Sequence, residues 1–233
     1  MKEAVESLLP LERNLFFFLN GSDSLFLDNI FLTITGKIIW APIVLFLVFM
    51  FFFKTPFKVA IITILAVAIL VTLCDQISSS IFKDYFQRLR PVNHPEFKDL
   101  VDTAKGYRSG GYSFISGHAT NSFGIAIFLS LLYKNRWVTI PIISWAVLNS
   151  YSRIYLGVHF TSDILGGIIM GTLVAIFVYG MYKYAISKLV KPNPFINNKS
   201  AYSTKNAKTI GIALSSYILL VIIFSPLLST LPK

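Results

Sequence analysis

Residues 152–163 read SRIYLGVHFTSD and join two long apolar segments, so they decide how the chain is organised. A guanidinium (Arg153), an imidazole (His159) and a carboxylate (Asp163) fall within these twelve residues. Such a cluster is costly inside a hydrocarbon layer, which predicts that the stretch lies at a membrane surface. An ordinary polar turn is the alternative for His159 and Asp163 considered alone, because histidines beside acids are common in turns.

Two further polar stretches precede this one. Residues 83–91 read KDYFQRLRP, and residues 114–118 read FISGH. We expect the second apolar helix to continue through Lys83 and to end at Arg90, because the position before a proline disfavours helix. Lys83 would then lie two turns before Arg90 on nearly the same face, about 10 Å away along the axis, so both side chains could reach one anion. Arg88 would point elsewhere, toward solvent or lipid headgroups.

The second of these stretches predicts a helix start that can bind a phosphate. Ser116 is a favoured N-cap, and Gly117 leaves the backbone open to a ligand. Unpaired N–H groups and the positive end of the helix dipole suit a phosphate dianion at this place. Arg153 can hold such a group through two hydrogen bonds, and Lys83 and Arg90 would add two more positive charges.

Together the three stretches resemble the signature of the type 2 phosphatidic acid phosphatase and vanadium haloperoxidase superfamily, over residues 83–163. The first and third match at every defined position, as Lys-x6-Arg-Pro and Ser-Arg-x5-His-x3-Asp. The second has Ile115 where the family has the proline of Pro-Ser-Gly-His. This difference removes no chemical group from the site.

The resemblance implies a division of roles between two histidines. His159 would attack phosphorus and form a phosphohistidine, Asp163 would orient and activate it, and His118 would protonate the leaving oxygen. A carboxylate bonded to one imidazole nitrogen fixes the tautomer and leaves the other nitrogen free to attack, which agrees with this assignment. The phosphate would be bound by the remaining residues of the signature: Lys83, Arg90, Ser116, Gly117 and Arg153.

Two of the three histidines of the chain are expected to act without a metal or another cofactor. A metal site is the rival use of His and Asp, but the three cations beside His118, His159 and Asp163 would repel a divalent ion. The third histidine, His94, lies in the loop after Pro91 and is interpreted as a surface residue.

Composition predicts an integral membrane protein with a single domain, residues 1–233. Hydrophobic residues make up 55% of the 233 and charged residues 14%, and the mean hydropathy is +0.66. The basic residues behind the net charge of +10 lie in short gaps between apolar spans, so no nucleic-acid partner is expected. The single cysteine, Cys74, lies in an apolar run and is expected to be a packing residue.

An all-α fold with six transmembrane helices is predicted, since about 20 residues are needed to cross the hydrocarbon core. In the fifth span, Gly167 and Gly171 would let another helix approach closely. The spans run roughly over Ile30–Phe53, Val59–Phe82, Ser116–Tyr133, Trp137–Ser152, Asp163–Tyr182 and Thr209–Leu231.

The N-terminal segment is predicted to be an interfacial helix. A signal peptide is not expected, because residues 1–20 contain three glutamates and lack a basic n-region. Residues 8–19 would instead lie along the bilayer, with Phe16, Phe17 and Phe18 dipping into the membrane surface.

Six spans place all three motifs on one membrane face. The connections on the opposite face carry no carboxylate, whereas all eleven Asp and Glu lie on the motif side or in the outer half of a span. The positive-inside rule therefore puts the basic connections in the cytoplasm and the motifs outside it. The basic residues of these connections are Lys54, Lys58, Lys134, Arg136, Lys183, Lys188, Lys191, Lys199, Lys205 and Lys208.

Lys37 in the first span and Asp75 in the second are charges that no motif covers. Each lies seventeen residues from the turn at residues 54–58, so antiparallel spans would put them at equal depth, about 25 Å from the cytoplasmic end. An ion pair beneath the catalytic pocket is one expectation, because charges inside a span usually face a partner or a wet cavity. In the alternative, Lys37 snorkels outward and Asp75 faces the aqueous site alone.

The sequence favours a bacterial inner-membrane lipid phosphatase that removes a terminal phosphate from a lipid headgroup at the periplasmic face. Within the resembling family, undecaprenyl diphosphate and lipid A with a 1- or 4'-phosphate are the leading substrates, and phosphatidylglycerol phosphate and phosphatidic acid are the alternatives. Residues 92–115 should contribute to selectivity. A haloperoxidase is disfavoured, because that branch is soluble. A non-catalytic lipid-phosphate binder or transporter is the alternative of another class, and it would need no nucleophile.

Overall fold

The computed structural model describes residues 2–190 and 202–230, and the regular elements in those ranges are all helical, which confirms the all-α prediction. Short 3-10 turns at Ile38–Trp40, Pro91–Asn93 and Ala104–Gly106 and a π-helical turn at Ile77–Phe82 accompany the α-helices. The α-helices are α1 (Lys2–Glu6), α2 (Leu9–Leu19), α3 (Leu25–Ile34), α4 (Ala41–Phe52), α5 (Phe57–Gln76), α6 (Lys83–Phe86), α7 (Gly117–Tyr133), α8 (Arg136–Tyr155), α9 (Thr161–Leu189), α10 (Thr204–Ile223) and α11 (Ser225–Leu228).

Helix α7 lies at the centre of the bundle and packs against α5, α8 and α9. A Cβ at Gly171 would overlap the carbonyl of Thr120, and a Cβ at Gly167 would also press on α7. The predicted role of this glycine pair is therefore confirmed, since small residues let helix backbones approach closely. On α5, Cys74 is fully buried, and a Cβ at Gly124 would lie 2.8 Å from its sulfur. Cys74 is thus a packing residue, as expected.

Among the described residues, three segments are long and apolar enough to cross a membrane, namely Phe57–Asn93, Thr161–Leu189 and Thr204–Ile223. The first of these is not helical throughout, because it includes the non-helical residues after α6. Helices α3 and α4 make a fourth if the bent pair is counted as one span. Helices α7 and α8 do not belong to this set. The structure therefore shows a multi-pass helical membrane protein with three or four of the six predicted spans. The predicted end of the sixth span, Leu231, lies outside the described residues.

The first predicted span is broken. Helices α3 and α4 meet at an angle of 72°, with residues 35–37 and the 3-10 turn Ile38–Trp40 between them. Pro42 has no backbone N–H to continue a helix from the preceding turn, so the chain starts a new helix at this point. The indole N–H of Trp40 donates to the carbonyl of Ile34 (2.9 Å), which satisfies one acceptor at the end of α3.

Helix α2 packs against the protein, so the expectation that its phenylalanines dip into the membrane surface is wrong for Phe16 and stays a prediction for the exposed Phe18. The ring of Phe16 is fully buried, and its centroid lies 5.4 Å from that of Phe160 and 6.0 Å from that of Phe97. Phe17 stacks on Phe97 at 5.5 Å, and Phe18 is 85% exposed. Since buried aromatic pairs stabilise packing, this cluster holds α2 beside the start of α9.

Candidate active site

A cavity of about 520 Å³ lies where α7 begins and α8 ends. The opposite wall comes from α5 and from the break between α3 and α4, with Asp75 and Lys37 among its residues. Ser116 and Asp163 lie behind the lining and are fully buried. The structure thus brings the three polar stretches together. The predicted site residues that line the cavity are Lys83, Arg90, Gly117, His118, Arg153 and His159.

His159 is positioned by the loop between α8 and α9. Gly157 has a φ of 68° and a Cβ there would overlap Val101, so this turn requires glycine. The imidazole of His159 is buried, with Nδ1 3.3 Å from Oδ2 of Asp163 and Nε2 3.0 Å from Nη1 of Arg90. Because a guanidinium can only donate, Nε2 is the acceptor and Nδ1 carries the proton that faces the carboxylate. This is the orientation that a nucleophilic Nε2 requires.

Asp163 is held rigidly at the start of α9. Its Oδ2 accepts the backbone N–H of Phe160 (2.9 Å), as in a capping box. Its Oδ1 accepts from Nη1 of Arg88 (2.8 Å). A fully buried carboxylate needs such partners, because an unpaired charge is costly in a low dielectric. Together these contacts aim Oδ2 at the ring of His159.

Arg88 lies in the protein interior, so the expectation that it faces solvent or lipid headgroups is wrong. Its side chain is fully buried, because α6 ends before it and the chain turns inward. Nη1 contacts Asp163 and donates to Oγ of Ser162 (2.7 Å), while Nη2 donates to Oε1 of Glu12 (2.6 Å). The guanidinium lies 4.2 Å from the ring centroid of Phe160, a favourable cation–π geometry. Arg88 therefore supports the carboxylate that supports His159.

Glu12 belongs to this network, although the sequence analysis did not identify it as a site residue. Its buried carboxylate accepts from Arg88, from Oγ1 of Thr161 (2.7 Å), and from the backbone N–H and Oγ of Ser162 (2.7 and 2.9 Å). A carboxylate at the first turn of α9 also suits the helix dipole. The available signal was a single acid in the apolar run of residues 8–19, but a sequence does not show which cation such an acid meets.

The prediction of a continuous helix from Lys83 to Arg90 is wrong. Helix α5 passes through the π-helical turn Ile77–Phe82, and α6 ends where Gln87 adopts a left-handed φ of 47°. Arg90 is extended (φ −73°, ψ 152°), as the following proline requires. Its Nη1 donates to the carbonyl of Val158 (2.9 Å), so the guanidinium reaches the cavity by another path.

Arg153 occupies the last turn of α8, where it is 2% exposed. Its Nη1 donates to Oγ1 of Thr35 and to the hydroxyl of Tyr107, the latter at 3.2 Å. The break between α3 and α4 therefore holds one of the cavity's cations in place. Nε of Arg153 has no hydrogen-bond partner among the described residues and is free to donate to an anion.

The start of α7 has the predicted N-cap. Oγ of Ser116 accepts a backbone N–H of the first turn at 3.4 Å. The backbone N–H of Ser116 donates to the carbonyl of Asp163 (3.0 Å), so this group serves the protein's own packing. Gly117 and His118 line the cavity. The peptide bond Phe114–Ile115, at the family's proline position, is cis.

Two expectations for other charged residues are wrong. Lys37 and Asp75 are exposed and form no ion pair with each other, so the expected pair is wrong. Asp75 lines the cavity, as the alternative expected, but Lys37 lines it too instead of extending outward, because the break after α3 gives it a place in the cavity wall. His94 is buried rather than on the surface, with Nε2 3.2 Å from Oε2 of Glu6 and its ring edge-on to Phe97. It does not line the cavity.

The pKa of His159 is held well below its usual range, mainly by burial and further by the positive charges of Arg90, Arg153 and Lys83. A lowered pKa means that the neutral, attacking form persists as the pH falls below 6.5 and is lost only through the lowered value. We expect the acid limb of kcat/KM to lie below pH 6.5 and to move upward in Arg90→Gln, which removes one of the repelling charges. Measured pH–rate profiles check this, and a downward move in the variant would contradict it.

These features define a class of protein: a multi-pass helical membrane protein in which a histidine–aspartate pair and the three cations of the motifs, Lys83, Arg90 and Arg153, converge on one cavity. The sequence pattern of the PAP2 superfamily matches residues 58–187, and the chain belongs to that superfamily. It is accordingly a membrane lipid phosphatase, and the resemblance seen in the three motifs is confirmed.

Two curated relatives and one solved structure resemble most of the chain. The lipid A 4'-phosphatase of Porphyromonas gingivalis is 46% identical over 184 residues, which cover 79% of this chain and 78% of the relative. The lipid A 4'-phosphatase of Bacteroides thetaiotaomicron is 41% identical over 169 residues, or 72% and 75% of the two chains. The crystal structure of a transmembrane PAP2-type phosphatidylglycerolphosphate phosphatase from Bacillus subtilis matches with a TM-score of 0.56 at 26% identity, covering 78% of this chain and 87% of that one.

Proposed function

We propose that the protein removes the 4'-phosphate of lipid A at the periplasmic face of a bacterial inner membrane. The observation that carries the choice of substrate is the identity of 46% and 41% to two lipid A 4'-phosphatases, over 79% and 72% of this chain. The cavity supports the chemistry, because Lys83, Arg90 and Arg153 in its lining can stabilise the charge that spreads over the phosphoryl oxygens in the transition state.

In the first step, Nε2 of His159 attacks phosphorus, so that a P–N bond forms and the P–O bond to the sugar breaks. His118 donates a proton to the leaving oxygen. Arg90 transfers its hydrogen bond from Nε2 to a phosphoryl oxygen, which frees the nucleophile as the substrate is bound. Asp163 accepts the Nδ1–H of the ring and stabilises the positive charge that develops there.

In the second step, His118 is neutral and takes a proton from a water molecule. The water oxygen attacks phosphorus, the P–N bond breaks, and inorganic phosphate leaves. The bonding electrons return to Nε2 of His159, and both histidines regain their starting states. One residue therefore acts first as the acid and then as the base, as a two-step displacement requires.

The proposed topology has six passes, formed by α3 with α4, then α5, α7, α8, α9 and α10. In this arrangement the cavity opens on the face that holds the motifs. The basic connections between the helices, such as the turn at Lys54 and Lys58, lie on the other face. The two faces have similar numbers of Lys and Arg, but Lys83, Arg90 and Arg153 on the motif face belong to the site, and the other connections contain no Asp or Glu. This distribution supports a cytoplasmic location for those connections, and hence catalysis at the periplasmic side.

The orientation is tested with single cysteines in a Cys74→Ala background. Asn93 and Lys58 are both exposed, and they lie on opposite faces in the proposed topology. We expect an impermeant thiol reagent to label Asn93→Cys in cells with a permeabilised outer membrane, while Lys58→Cys is labelled only after lysis. The reverse pattern would place catalysis in the cytoplasm.

The substrate is tested by measuring phosphate release from four lipids with purified protein: lipid A, undecaprenyl diphosphate, phosphatidylglycerol phosphate and phosphatidic acid. We expect kcat/KM to be at least about 10-fold higher for lipid A than for the others, because a polar site discriminates strongly between headgroups. His159→Ala protein, purified in parallel, reports any contaminating phosphatase. A higher kcat/KM for one of the other three lipids would assign the enzyme to that substrate instead.

A further inference from the structure

The cavity is larger than a phosphate group requires, and part of its lining comes from residues outside the three motifs. Its volume of about 520 Å³ falls in the range typical of sites for whole small molecules, roughly 300 to 1,000 Å³. His118, His159 and the three cations occupy one part of the lining. The rest of the lining combines apolar residues, such as Ile34 and Val71, with polar side chains that the reaction does not use. Asn121, Asn149 and Trp145 are among these polar residues.

These side chains follow two helix faces away from the phosphate-binding cations. On α8, Trp145, Asn149 and Arg153 recur every four residues and lie on one face. Asn149 is one turn from Arg153, about 6 Å along the axis, and Trp145 is one turn further. On α7, Asn121 follows His118 by three residues on the same face. A ligand group attached to the phosphate would meet these residues next.

The polar atoms at these positions are buried and have no partner among the described residues: Oδ1 of Asn121, Oδ1 of Asn149 and Nε1 of Trp145. Asn149 is only 8% exposed. Its Nδ2 donates to Oγ of Ser122 (2.7 Å), which in turn donates to the carbonyl of His118, so the orientation of the amide is set. The remaining Oδ1 can only accept. Since buried polar groups are normally hydrogen-bonded, such a cluster in a cavity wall indicates a ligand.

The facing wall adds two charged groups. Lys37 and Asp75 line the same cavity without pairing with each other. Asp75 can accept hydrogen bonds from hydroxyl groups, and Lys37 can donate to oxygens. The cavity therefore offers both hydrogen-bond acceptors and donors beyond the groups that bind the phosphate.

We infer that this part of the cavity is a subsite for the sugar ring that carries the phosphate, with Asn149 and Asn121 accepting from its hydroxyl or amide N–H groups and Trp145 donating to one of its oxygens. The inference deepens the proposed function and rests on it for the identity of the lipid, whose 4'-phosphate is borne by an N-acylated amino sugar. A glycerol or polyprenyl group offers far fewer partners. A ligand with a glycerol or polyprenyl group would therefore leave the buried atoms of Asn121, Asn149 and Trp145 without partners. A site of this kind discriminates strongly against such a ligand.

The test compares two soluble competitors, N-acetylglucosamine 4-phosphate and glycerol 3-phosphate, as inhibitors of the hydrolysis of dioctanoyl phosphatidic acid. Both carry a phosphate monoester, so the ratio of their Ki values reports the sugar subsite. In the wild-type enzyme the sugar phosphate should bind about 10-fold more tightly or better. Asn149→Leu and Asn121→Leu should each reduce this ratio by about 10-fold, since each removes one buried acceptor.

Asn14→Leu makes the same chemical change at an exposed position of α2, outside the cavity and outside residues 92–115, and should leave the ratio and the basal rate unchanged. Oδ1 of Asn121 has no hydrogen-bond partner within the described part of the protein, so the Asn121→Leu variant breaks no internal bond of that atom and remains a test if Asn149→Leu fails to fold. A wild-type ratio near one, or a ratio unchanged in both variants, would overturn the subsite even if lipid A is hydrolysed. Conversely, a ratio that is high and lost in the variants, without phosphate release from lipid A, would uphold the subsite and reject the proposed substrate.

Discussion

His159→Ala will abolish phosphate release, lowering kcat by at least about 10⁴-fold, because no other described side chain in the cavity can replace a neutral imidazole held between a carboxylate and a guanidinium. His118→Ala will behave differently. With a lipid substrate its kcat should fall by roughly 10² to 10⁴-fold, the usual contribution of a general acid. With an aryl phosphate, whose leaving group needs no proton, the variant should still form a phosphoenzyme.

Rapid quenching with radiolabelled aryl phosphate distinguishes the two variants. Acid-labile label should accumulate on His118→Ala, because hydrolysis of the intermediate lacks its base, and should be absent from His159→Ala. His94→Ala is the matched control, since the third histidine is buried beside Glu6 and does not line the cavity. It should turn over normally. Equal labelling of the two active-site variants would reject the division of roles.

Arg88→Met will cost about 3 to 5 kcal/mol of stability, because it leaves two buried carboxylates, Glu12 and Asp163, without their common cation. For a protein of this length that loss corresponds to a decrease in Tm of about 6 to 20 °C. Thermal unfolding of the detergent-purified protein measures it. Activity should fall as well, since Oδ2 of Asp163 is aimed by the same network.

Arg13→Met is the matched control for that substitution. Arg13 directly follows Glu12 on α2 and forms an ion pair with Glu96 at an N–O distance of 4.0 Å. This pair is exposed, since the two side chains are 44% and 68% accessible. Exposed pairs contribute less than about 1 kcal/mol, so the Tm should change little. Similar decreases in Tm for the two variants would show that the buried network around Arg88 stabilises the protein no more than an exposed ion pair does.

The motif residues could be predicted because they combine spacing with chemistry. The i to i+4 relation of His159 and Asp163 brings them together at the start of any helix, and Ser116 before an apolar run is a common N-cap. Gly167 and Gly171 lie about one turn apart on one face of α9, which is enough to predict a close approach but not which helix makes it. Each of these features depends on a few neighbouring residues.

The remaining features depend on contacts between distant parts of the chain. Glu12 and Arg88 are separated by 76 residues, and neither position shows by itself that the other will be its partner. Gln87 adopts a left-handed conformation and ends α6, although the residues after it are good helix formers. Arg88 and Arg90 are buried just beyond this turn, and such tertiary packing overrides local propensity. Equal depth for Lys37 and Asp75 requires two continuous helices, and the break after α3 interrupts the first of them. The two side chains therefore do not pair. A sequence pattern alone contains none of these three-dimensional constraints.

The central claim is that a lipid A phosphate is removed at the 4' position by this cavity, and product mapping tests it directly. Bis-phosphorylated lipid A is incubated with the purified enzyme, and the product is analysed by tandem mass spectrometry. The fragment masses show which of the two sugars still carries a phosphate. The account predicts loss of one phosphate from the distal sugar, an intact 1-phosphate, and no product with His159→Ala. Loss of the 1-phosphate instead, or equal product with the variant, would contradict it.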